Sequence, residues 1–292
     1  MILKLEEIGK KYGNFSALAD INLQFEPGIT ALLGPNGAGK STMIKIITGA
    51  LKKSTGYVYL DNKIVDTFSK SYLSNIGYVP QDFAFYDSFT IRQYLSYVGT
   101  LKGIKRDDLK SQVEASVELV NLSKDINKKI NELSGGMKRR VMIAQSILSD
   151  PKLLILDEPT AGLDPEERIR IRNIISKMAG DRTVLIATHI VADIERIADQ
   201  IVLIKKGRVV CKNTPVELMD SINGTVYEGV VDDSEYSNMQ NDYIISQVRN
   251  AENEMHRVRF ISNTEPDSKF VAVYPSLEEV YLKIMREQND KK

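Results

Sequence analysis

Apolar and polar positions divide the first part of the chain into a strand, a glycine-rich turn and a helix. Residues 2–8 and 20–26 alternate partially and predict two half-buried strands. Residues 29–33 form a short apolar run, and residues 43–49 have helical apolar spacing that a glycine ends. The pattern therefore predicts a buried strand and a helix that are joined by a glycine-rich turn.

The middle of the chain changes from strand to helix patterns and back. Helical spacing covers about 91–102 and 107–121, and Ser134 is a good cap for a further helix. We therefore predict a helical insertion over about 82–150 in a domain built on a sheet. Residues 152–156 and 183–187 are apolar runs typical of strands buried on both faces of a parallel sheet. Shorter strands are predicted at 56–60, 61–65, 76–80, 200–205 and 208–212.

The last quarter of the chain has a separate pattern. A capping box of Ser276 and Glu279 opens a final amphipathic helix. Strands are predicted before it at 243–249, 255–261 and 271–274. We expect a main domain over 1–215 and a small C-terminal α+β domain over 216–292.

Composition narrows the class of protein. The 292 residues carry 39 Lys+Arg and 39 Asp+Glu, and this balance argues against a strongly basic nucleic-acid binder. Cys211 is the only cysteine, so a disulfide framework is excluded and a reducing compartment is favoured. Neither a signal-peptide core nor an apolar run of about 18 residues is present. We expect a soluble, cytoplasmic protein without a nucleic-acid partner.

The turn between the first buried strand and its helix is GPNGAGKST, residues 34–42. Its glycines let consecutive backbone N–H groups face phosphate oxygens, and the helix dipole begins at the same place. Lys40 can reach the β- and γ-phosphates, and the Ser41 hydroxyl can bind Mg²⁺. The predicted nucleotide contacts are Gly34, Pro35, Asn36, Gly37, Ala38, Gly39, Lys40, Ser41 and Thr42.

Polar residues follow the other predicted strands at their carboxyl ends, where ligands of open α/β sheets gather. Asp157 can hold Mg²⁺ beside the phosphate loop, and Glu158 is placed to orient or deprotonate a water. His189 follows the strand at 183–187. Gln81 follows the strand at 76–80, where it is either a ligand group or an ordinary loop residue.

Two aromatic features allow two interpretations each. Tyr12 is either a core residue or a stacking platform for adenine. The aromatic side chains just after Gln81 either fill the core of the helical insertion or receive a helix of another protein. These side chains are Phe83, Phe85, Tyr86 and Phe89.

The motifs GPNGAGKST, LSGGM, LLILDE, AGLD and ATH occur in the order found in the ATP-binding subunits of ABC transporters, which this chain resembles. The resemblance covers residues 1 to about 215. It implies an α/β fold: a P-loop NTPase core with an antiparallel β subdomain and a helical insertion, here with a C-terminal α+β appendage. It also implies ATP hydrolysis with Mg²⁺.

The resemblance assigns roles by position. It implies that Tyr12 stacks on adenine, that Gln81 is the lid linking nucleotide to transporter, and that His189 contacts the γ-phosphate. The implied catalytic residues are Lys40, Glu158 and His189, and the implied Mg²⁺ ligands are Ser41, Gln81 and Asp157. It places Asp164 in a loop that contacts a second subunit. The segment implied to bind the ATP of that subunit comprises Leu133, Ser134, Gly135, Gly136 and Met137.

One residue departs from the family pattern. The commonest signature ends in Gln, where this chain has Met137. The backbone amides and Ser134 remain, so we expect anion binding without the hydrogen bond of a side-chain amide. The form LSGGMKRR resembles the branch that exports drugs, peptides and antibiotics.

We therefore expect the ATPase of a membrane exporter, peripheral on the inner face of the membrane. Its implied partners are separate transmembrane permease subunits and a second ATP-binding subunit, identical or paralogous. An ABC importer ATPase is the alternative within transporters. A soluble ABC ATPase acting on nucleic acid or ribosomes fits less well, because only one phosphate loop and no heptad run occur. A GTP switch lacks its Asn-Lys-x-Asp segment and leaves LSGGM unexplained.

Overall fold

The computed structural model describes residues 1–251 and 254–287. It divides into two compact units, Met1–Lys212 and Asn213–Lys292, close to the expected boundary after residue 215. Within the described residues, every helix is too short or too polar to cross a bilayer.

The first unit contains two sheets and seven α-helices among its described residues. Its strands are β1 Leu3–Tyr12, β2 Phe15–Phe25, β3 Gly28–Leu33, β4 Thr55–Leu60, β5 Lys63–Ile64, β6 Ile76–Val79, β7 Leu153–Asp157, β8 Thr183–Thr188, β9 Gln200–Lys205 and β10 Arg208–Asn213. Its α-helices are α1 Lys40–Ile47, α2 Lys70–Leu73, α3 Ile91–Leu101, α4 Arg106–Leu119, α5 Gly135–Ile147, α6 Pro165–Ala179 and α7 Val191–Ile194.

The larger sheet has the order β10-β9-β3-β8-β7-β6, and the strands from β9 to β6 pair in parallel. Every residue of β7 and β8 is buried, as the apolar runs predict for a sheet covered on both faces. The register places Leu33 beside Thr188 and Asp157 beside Ala187. The segments that follow β3, β6, β7 and β8 therefore start at one edge of the sheet.

The smaller sheet is antiparallel, with the order β2-β1-β4-β5. Its first two strands are longer than predicted and form a hairpin that pairs Tyr12 with Phe15. Phe25 from this sheet, Met43 from α1 and Val202 from β9 belong to one buried core cluster. Each such side chain contributes about 1.5–3 kcal/mol by burial, so this core fixes the phosphate loop between the two sheets.

The helices α3, α4 and α5 pack against one another, as predicted for the insertion. α3 begins with a capping box of Thr90 and Gln93. The predicted α/β fold, with its antiparallel sheet and helical insertion, is confirmed.

The second unit is an α+β structure with the sheet order β12-β13-β11-β14, antiparallel throughout. The capping box of Ser276 and Glu279 opens the last helix, as predicted. The sequence pattern missed the first strand and the first two helices of this unit, and it made the last strand too long. The elements are α8 Pro215–Asp220, β11 Val226–Val231, α9 Asp233–Asp242, β12 Ile244–Asn250, β13 His256–Ile261, β14 Val271–Ala272 and α10 Leu277–Glu287.

Candidate functional site

The phosphate loop turns sharply before α1 because of Gly39. This residue caps the helix with φ 107°, in the left-handed region that glycine tolerates. A Cβ atom there would lie 2.7 Å from Leu18 Cδ2 and 2.9 Å from the Ala17 carbonyl oxygen. The loop can therefore follow this path only with glycine at position 39.

Lys40 lies inside the loop that it follows. Its buried Nζ donates to the carbonyl oxygens of Gly34, at 2.6 Å, and Pro35, at 3.3 Å. Burial lowers the pKa of Lys40, although the carboxylates of Glu158 and Asp157 partly oppose that shift. The Lys40 ammonium group is thus held in a place where water solvates its charge only in part.

Asp157, at the end of β7, is buried and incompletely paired. Burial and the neighbouring Glu158 carboxylate raise its pKa, while Lys40, Lys45 and a hydrogen bond from Ser41 lower it in part. Its Oδ1 atom has no hydrogen-bond partner among the described residues. A buried carboxylate oxygen without a partner costs free energy, and a cation would remove that cost.

Glu158 has an unusual backbone for a non-glycine residue, with φ 49°. Its buried carboxylate contacts His189 Nδ1 through Oε1 at 2.8 Å and accepts a hydrogen bond from Thr188 Oγ1 at 3.2 Å. Left-handed backbone of this kind costs about 1–3 kcal/mol and is found at functional sites. The contacts with His189 and Thr188 therefore help to hold Glu158 in this conformation at the sheet edge.

A cavity of about 410 Å³ lies above this edge. Two aromatic rings stand at its side: Tyr12 is 49% exposed and Phe15 is 66% exposed. The core interpretation of Tyr12 is therefore wrong. Sequence analysis missed Phe15, although the short turn at Gly13-Asn14 was the signal that pairs it with Tyr12. The lining residues are Tyr12, Phe15, Ala17, Pro35, Asn36, Gly37, Ala38, Gly39, Lys40, Ser41, Thr42, Gln81, Glu158 and His189.

The signature segment starts α5. The Ser134 hydroxyl caps this helix by accepting from Met137 N at 3.2 Å. A Cβ atom on Gly136 would lie 2.4 Å from Glu167 Cγ, whereas one on Gly135 would meet no atom within 4 Å. Glu167 itself is held by Arg140 Nε at 2.7 Å. Packing against Glu167 therefore requires glycine at 136, while Gly135 leaves open space at the start of the helix.

Some predicted site residues are not brought to the cavity. Asp164 caps α6 by accepting from Glu167 N at 2.9 Å, next to the signature helix instead. Within residues 1–251 and 254–287, the predicted site residues that do not line the cavity are Gly34, Leu133, Ser134, Gly135, Gly136, Met137, Asp157 and Asp164. Gly34 and Asp157 are nevertheless linked to the site through Lys40 and Ser41. In the described part of the chain, the signature residues and Asp164 have no such link to the cavity.

The aromatic side chains after Gln81 are only partly covered. Phe85 packs edge-on against Phe83 and against the buried Tyr94, at centroid distances of 5.2 and 4.9 Å. Tyr86, which is 54% exposed, contacts Phe89 and Tyr97. The interpretation of these residues as a buried core is therefore wrong, because none of the four predicted side chains is buried.

Comparison with known proteins identifies the family. The model of the family "ABC transporter" matches residues 18–161. The Nod factor export ATP-binding protein I of Cupriavidus pinatubonensis is 34% identical over 222 residues, 75% of this chain and 68% of that protein. The linearmycin resistance ATP-binding protein LnrL of Bacillus subtilis is 32% identical over 225 residues, 76% of this chain and 72% of that protein.

Longer proteins and solved structures also match about three quarters of this chain. The chain spans only 12% of the length of ATP-binding cassette sub-family A member 17 from Rattus norvegicus, at 33% identity. A dimeric, post-hydrolysis structure of an ATP-binding cassette with ADP and Pi superposes with a TM-score of 0.64. That structure is 27% identical, and the match covers 73% of this chain and 98% of the other. The chain therefore belongs to the ABC transporter family and carries the ATPase cassette that its motifs predict.

Proposed function

We propose that this chain is the ATP-hydrolysing subunit that powers a membrane exporter. The observation that supports this most directly is the edge of the larger sheet, where the phosphate loop, Lys40, Glu158 and His189 surround one cavity. The aromatic rings of Tyr12 and Phe15 stand where a planar base can stack. The site thus offers a surface for adenine and, next to it, backbone amides and a cation for the phosphates.

Mg²⁺ fits the residues beside this cavity. The Asp157 carboxylate has an orphaned oxygen, and the Ser41 hydroxyl is hydrogen-bonded to the same side chain. Mg²⁺ typically takes one or two protein oxygens and completes its octahedron with water and substrate phosphates. We assign Ser41 and Asp157 as its ligands, with Gln81 as a third from the loop that lines the cavity. Bound Mg²⁺ would neutralise charge on the β- and γ-phosphates.

Glu158 acts as general base on the attacking water, and His189 orients it. The contact between His189 Nδ1 and Glu158 Oε1 fixes the carboxylate and leaves the other ring nitrogen available to the γ-phosphate. The side chain of His189 is 47% exposed, as a phosphate-contacting group at the cavity wall should be. Lys40 stabilises the charge that develops on the transferred phosphoryl group.

A second ATP-binding subunit completes the site. The Ser134 hydroxyl caps the start of α5, and Gly135 leaves open space beside it. Neither residue lines the cavity of its own chain. A helix start with free N–H groups is a ready anion site. We propose that it binds the γ-phosphate held by a second copy, with Asp164 in the adjoining contact. The dimeric relative with ADP and Pi supports this arrangement.

The permease contacts the exposed aromatic patch, defined as Tyr86, Phe89 and Tyr97. Two of these rings are more than 40% exposed and all three contact one another, although large apolar side chains usually avoid water. The patch lies just beyond Gln81 in sequence, so a change at the γ-phosphate can reach it. We propose that it receives a short cytoplasmic helix of a separate permease, which places the chain at the inner face of the membrane.

Export is favoured over import by the relatives. Their names assign them to Nod factor export and to linearmycin resistance. Purifying the chain from its native membrane in mild detergent, with mass spectrometry of bound proteins, tests this direction. A co-purifying solute-binding protein would indicate an importer.

Replacement of Glu158 by glutamine tests the proposed function. Glu158→Gln keeps the shape of the side chain but removes its basic lone pair, so turnover of Mg-ATP should fall by about 10²–10⁴-fold. ATP should still bind with unchanged affinity in equilibrium titration. Near wild-type turnover of this variant would disprove the assignment of the base.

The aromatic patch has its own matched test. Tyr86→Ala should leave the melting temperature and ATP hydrolysis unchanged and abolish co-purification with the permease. Phe85→Ala is the control, because Phe85 packs on the buried Tyr94 and its loss should destabilise the fold. Retained permease binding in Tyr86→Ala would place the coupling surface elsewhere.

A further inference from the structure

Arg139 is a buried cation to which the mechanism above gives no role. It lies on α5 and is 6% exposed. Its Nη1 donates to the Pro80 carbonyl oxygen at 3.0 Å, and its guanidinium carbon lies 4.8 Å from the centroid of the Phe83 ring. Pro80 and Phe83 flank Gln81 in the chain. The side chain of Arg139 therefore contacts the chain on both sides of Gln81, which lines the cavity.

The same side chain belongs to the signature helix. Ser134 caps α5, and Arg139 follows it by five residues on a continuous helix, a rise of about 7.5 Å. A hydrogen-bonded helix of this length moves as a rigid body. Any displacement of the signature segment is therefore delivered to Pro80 and Phe83 through the guanidinium group.

The charges around Arg139 connect it with the catalytic edge. Burial lowers the pKa of Arg139, and the carboxylates of Asp82, Asp157 and Glu158 oppose that shift. Two of these three carboxylates belong to the proposed Mg²⁺ ligand and general base. The charge of the guanidinium thus interacts with carboxylates of the reaction edge, while its contacts are with the Gln81 segment.

The neighbouring Arg140 shows what a purely structural arginine does on this helix. It is equally buried, but it pairs with Glu167 and donates to the carbonyl oxygens of Val120 and Asn121. These contacts join α5 to α6 and to the end of α4. They join helices to one another, whereas Arg139 contacts the segment around Gln81, which lines the cavity.

We propose that Arg139 is a positioning residue that sets Gln81 in the cavity and transmits movement of the signature helix to it. Because the signature helix binds the nucleotide of the second subunit, Arg139 links the two ATP sites of a dimer. This inference rests on the proposed role of Gln81.

Steady-state hydrolysis of Mg-ATP by the full chain tests the proposal. Arg139→Met keeps the apolar stem and removes the guanidinium, so kcat should fall about ten- to hundredfold while KM stays within about twofold. Arg139→Lys keeps the charge but not the planar stack, and it should recover part of kcat. Arg106→Met, an exposed arginine of α4, is the control and should match the wild type.

A fluorescence measurement separates positioning from simple destabilisation. The chain has no tryptophan, so Phe83→Trp introduces a single reporter beside the guanidinium. Mg-ATP should shift its emission, and the shift should vanish in the double variant Phe83→Trp, Arg139→Met although nucleotide affinity is unchanged. A merely structural arginine would lower the melting temperature and leave the shift in place.

Two outcomes decide against the proposal. Wild-type kcat in folded Arg139→Met overturns it, and so does wild-type kcat in Phe83→Leu if Arg139→Met does not fold. Gln81→Ala separates this failure from failure of the site itself. If Gln81→Ala hydrolyses ATP normally, the role of Gln81 is wrong; if it is slow while the Arg139 variants are normal, only the linkage is wrong.

Discussion

Each unit contains a buried carboxylate, and the two carboxylates differ in their hydrogen-bond partners and in the direction of their pKa shifts. Glu279 in the second unit is bound through both oxygens by Arg259 and also accepts from Ser246 and Ser276. Burial raises the pKa of Glu279, but these hydrogen bonds outweigh it and leave the pKa low. Asp157 in the first unit keeps an orphaned oxygen, and burial beside Glu158 raises its pKa. Both side chains are buried, so burial alone does not separate them.

The difference separates a structural carboxylate from one prepared for a ligand. Partners that satisfy Glu279 are all supplied by its own unit, so its charge stabilises the folded chain. Among the described residues, Asp157 Oδ1 has no such partner, and we propose that a bound cation supplies it. An unsatisfied buried carboxylate at a sheet edge therefore indicates function more strongly than burial or charge does.

The largest effect of a substitution is expected at the cations next to these carboxylates, Lys40 in the first unit and Arg259 in the second. Lys40→Ala removes a buried cation facing phosphate, so nucleotide affinity should fall by about 10²-fold or more in equilibrium titration. Arg259→Ala is the comparison: it should leave nucleotide affinity unchanged and lower thermal stability. Unchanged nucleotide affinity in Lys40→Ala would contradict the binding role assigned to the buried charges of the first unit.

The second effect concerns the stability of the second unit. Glu279→Gln leaves the half-buried Arg259 guanidinium without its counter-charge, which costs about 1–3 kcal/mol in the free energy of unfolding. Chemical denaturation of the full chain should show this loss, with ATP turnover unchanged. A fully stable Glu279→Gln variant would mean that water satisfies Arg259.

The stabilisation by Glu279 should depend on pH in a defined direction. Its folded-state pKa lies below its ordinary value of 4.5, so its contribution is complete above about that pH and is lost as the pH falls through the folded-state value. The stability difference between wild type and Glu279→Gln should therefore shrink in acid. A difference that stays constant between neutral and strongly acid solution would contradict the assignment.

The smallest effect is expected at Asp157, where removal of the charge should raise the stability of the chain. The folded-state pKa of Asp157 lies above its ordinary value of 3.8, so ionisation destabilises the fold as the pH rises through that range. Asp157→Asn should therefore stabilise the nucleotide-free chain by roughly 0.5–2 kcal/mol at neutral pH, the usual trade-off at functional sites. The same variant should lose the stabilisation that Mg²⁺ adds with ATP. A less stable variant would show that Asp157 is structural.

The sequence predicted the elements around the cavity better than it predicted the elements of the second unit. The strand, loop and helix around Lys40 have strong local patterns, and a parallel sheet brings strand ends together once its strands are recognised. The predicted edge residues follow from this rule, as Asp157 and Glu158 illustrate. The strand β11 was missed because Gly229 and mixed polar positions hide its alternation, and its pairing with β13 is a tertiary effect.

Three details of the site depend on contacts between distant residues. Phe15 reaches the cavity only through its pairing with Tyr12. Gly136 is required by the side chain of Glu167, a neighbour far along the chain. Arg139 lies in a predicted helix, but the sequence gives no sign of its contacts with Pro80 and Phe83. Local patterns do not contain this information, because it arises from packing.

The central claim is that one copy supplies the catalytic edge and another supplies the signature, and complementation tests it directly. Ser134→Arg keeps the edge and blocks the signature, whereas Glu158→Gln keeps the signature and disables the edge. Each variant alone should be inactive. An equal mixture should regain about a quarter of wild-type turnover, since half of the dimers would be mixed and each would hold one intact composite site. Full activity of Ser134→Arg alone, or no recovery in the mixture, would contradict the account.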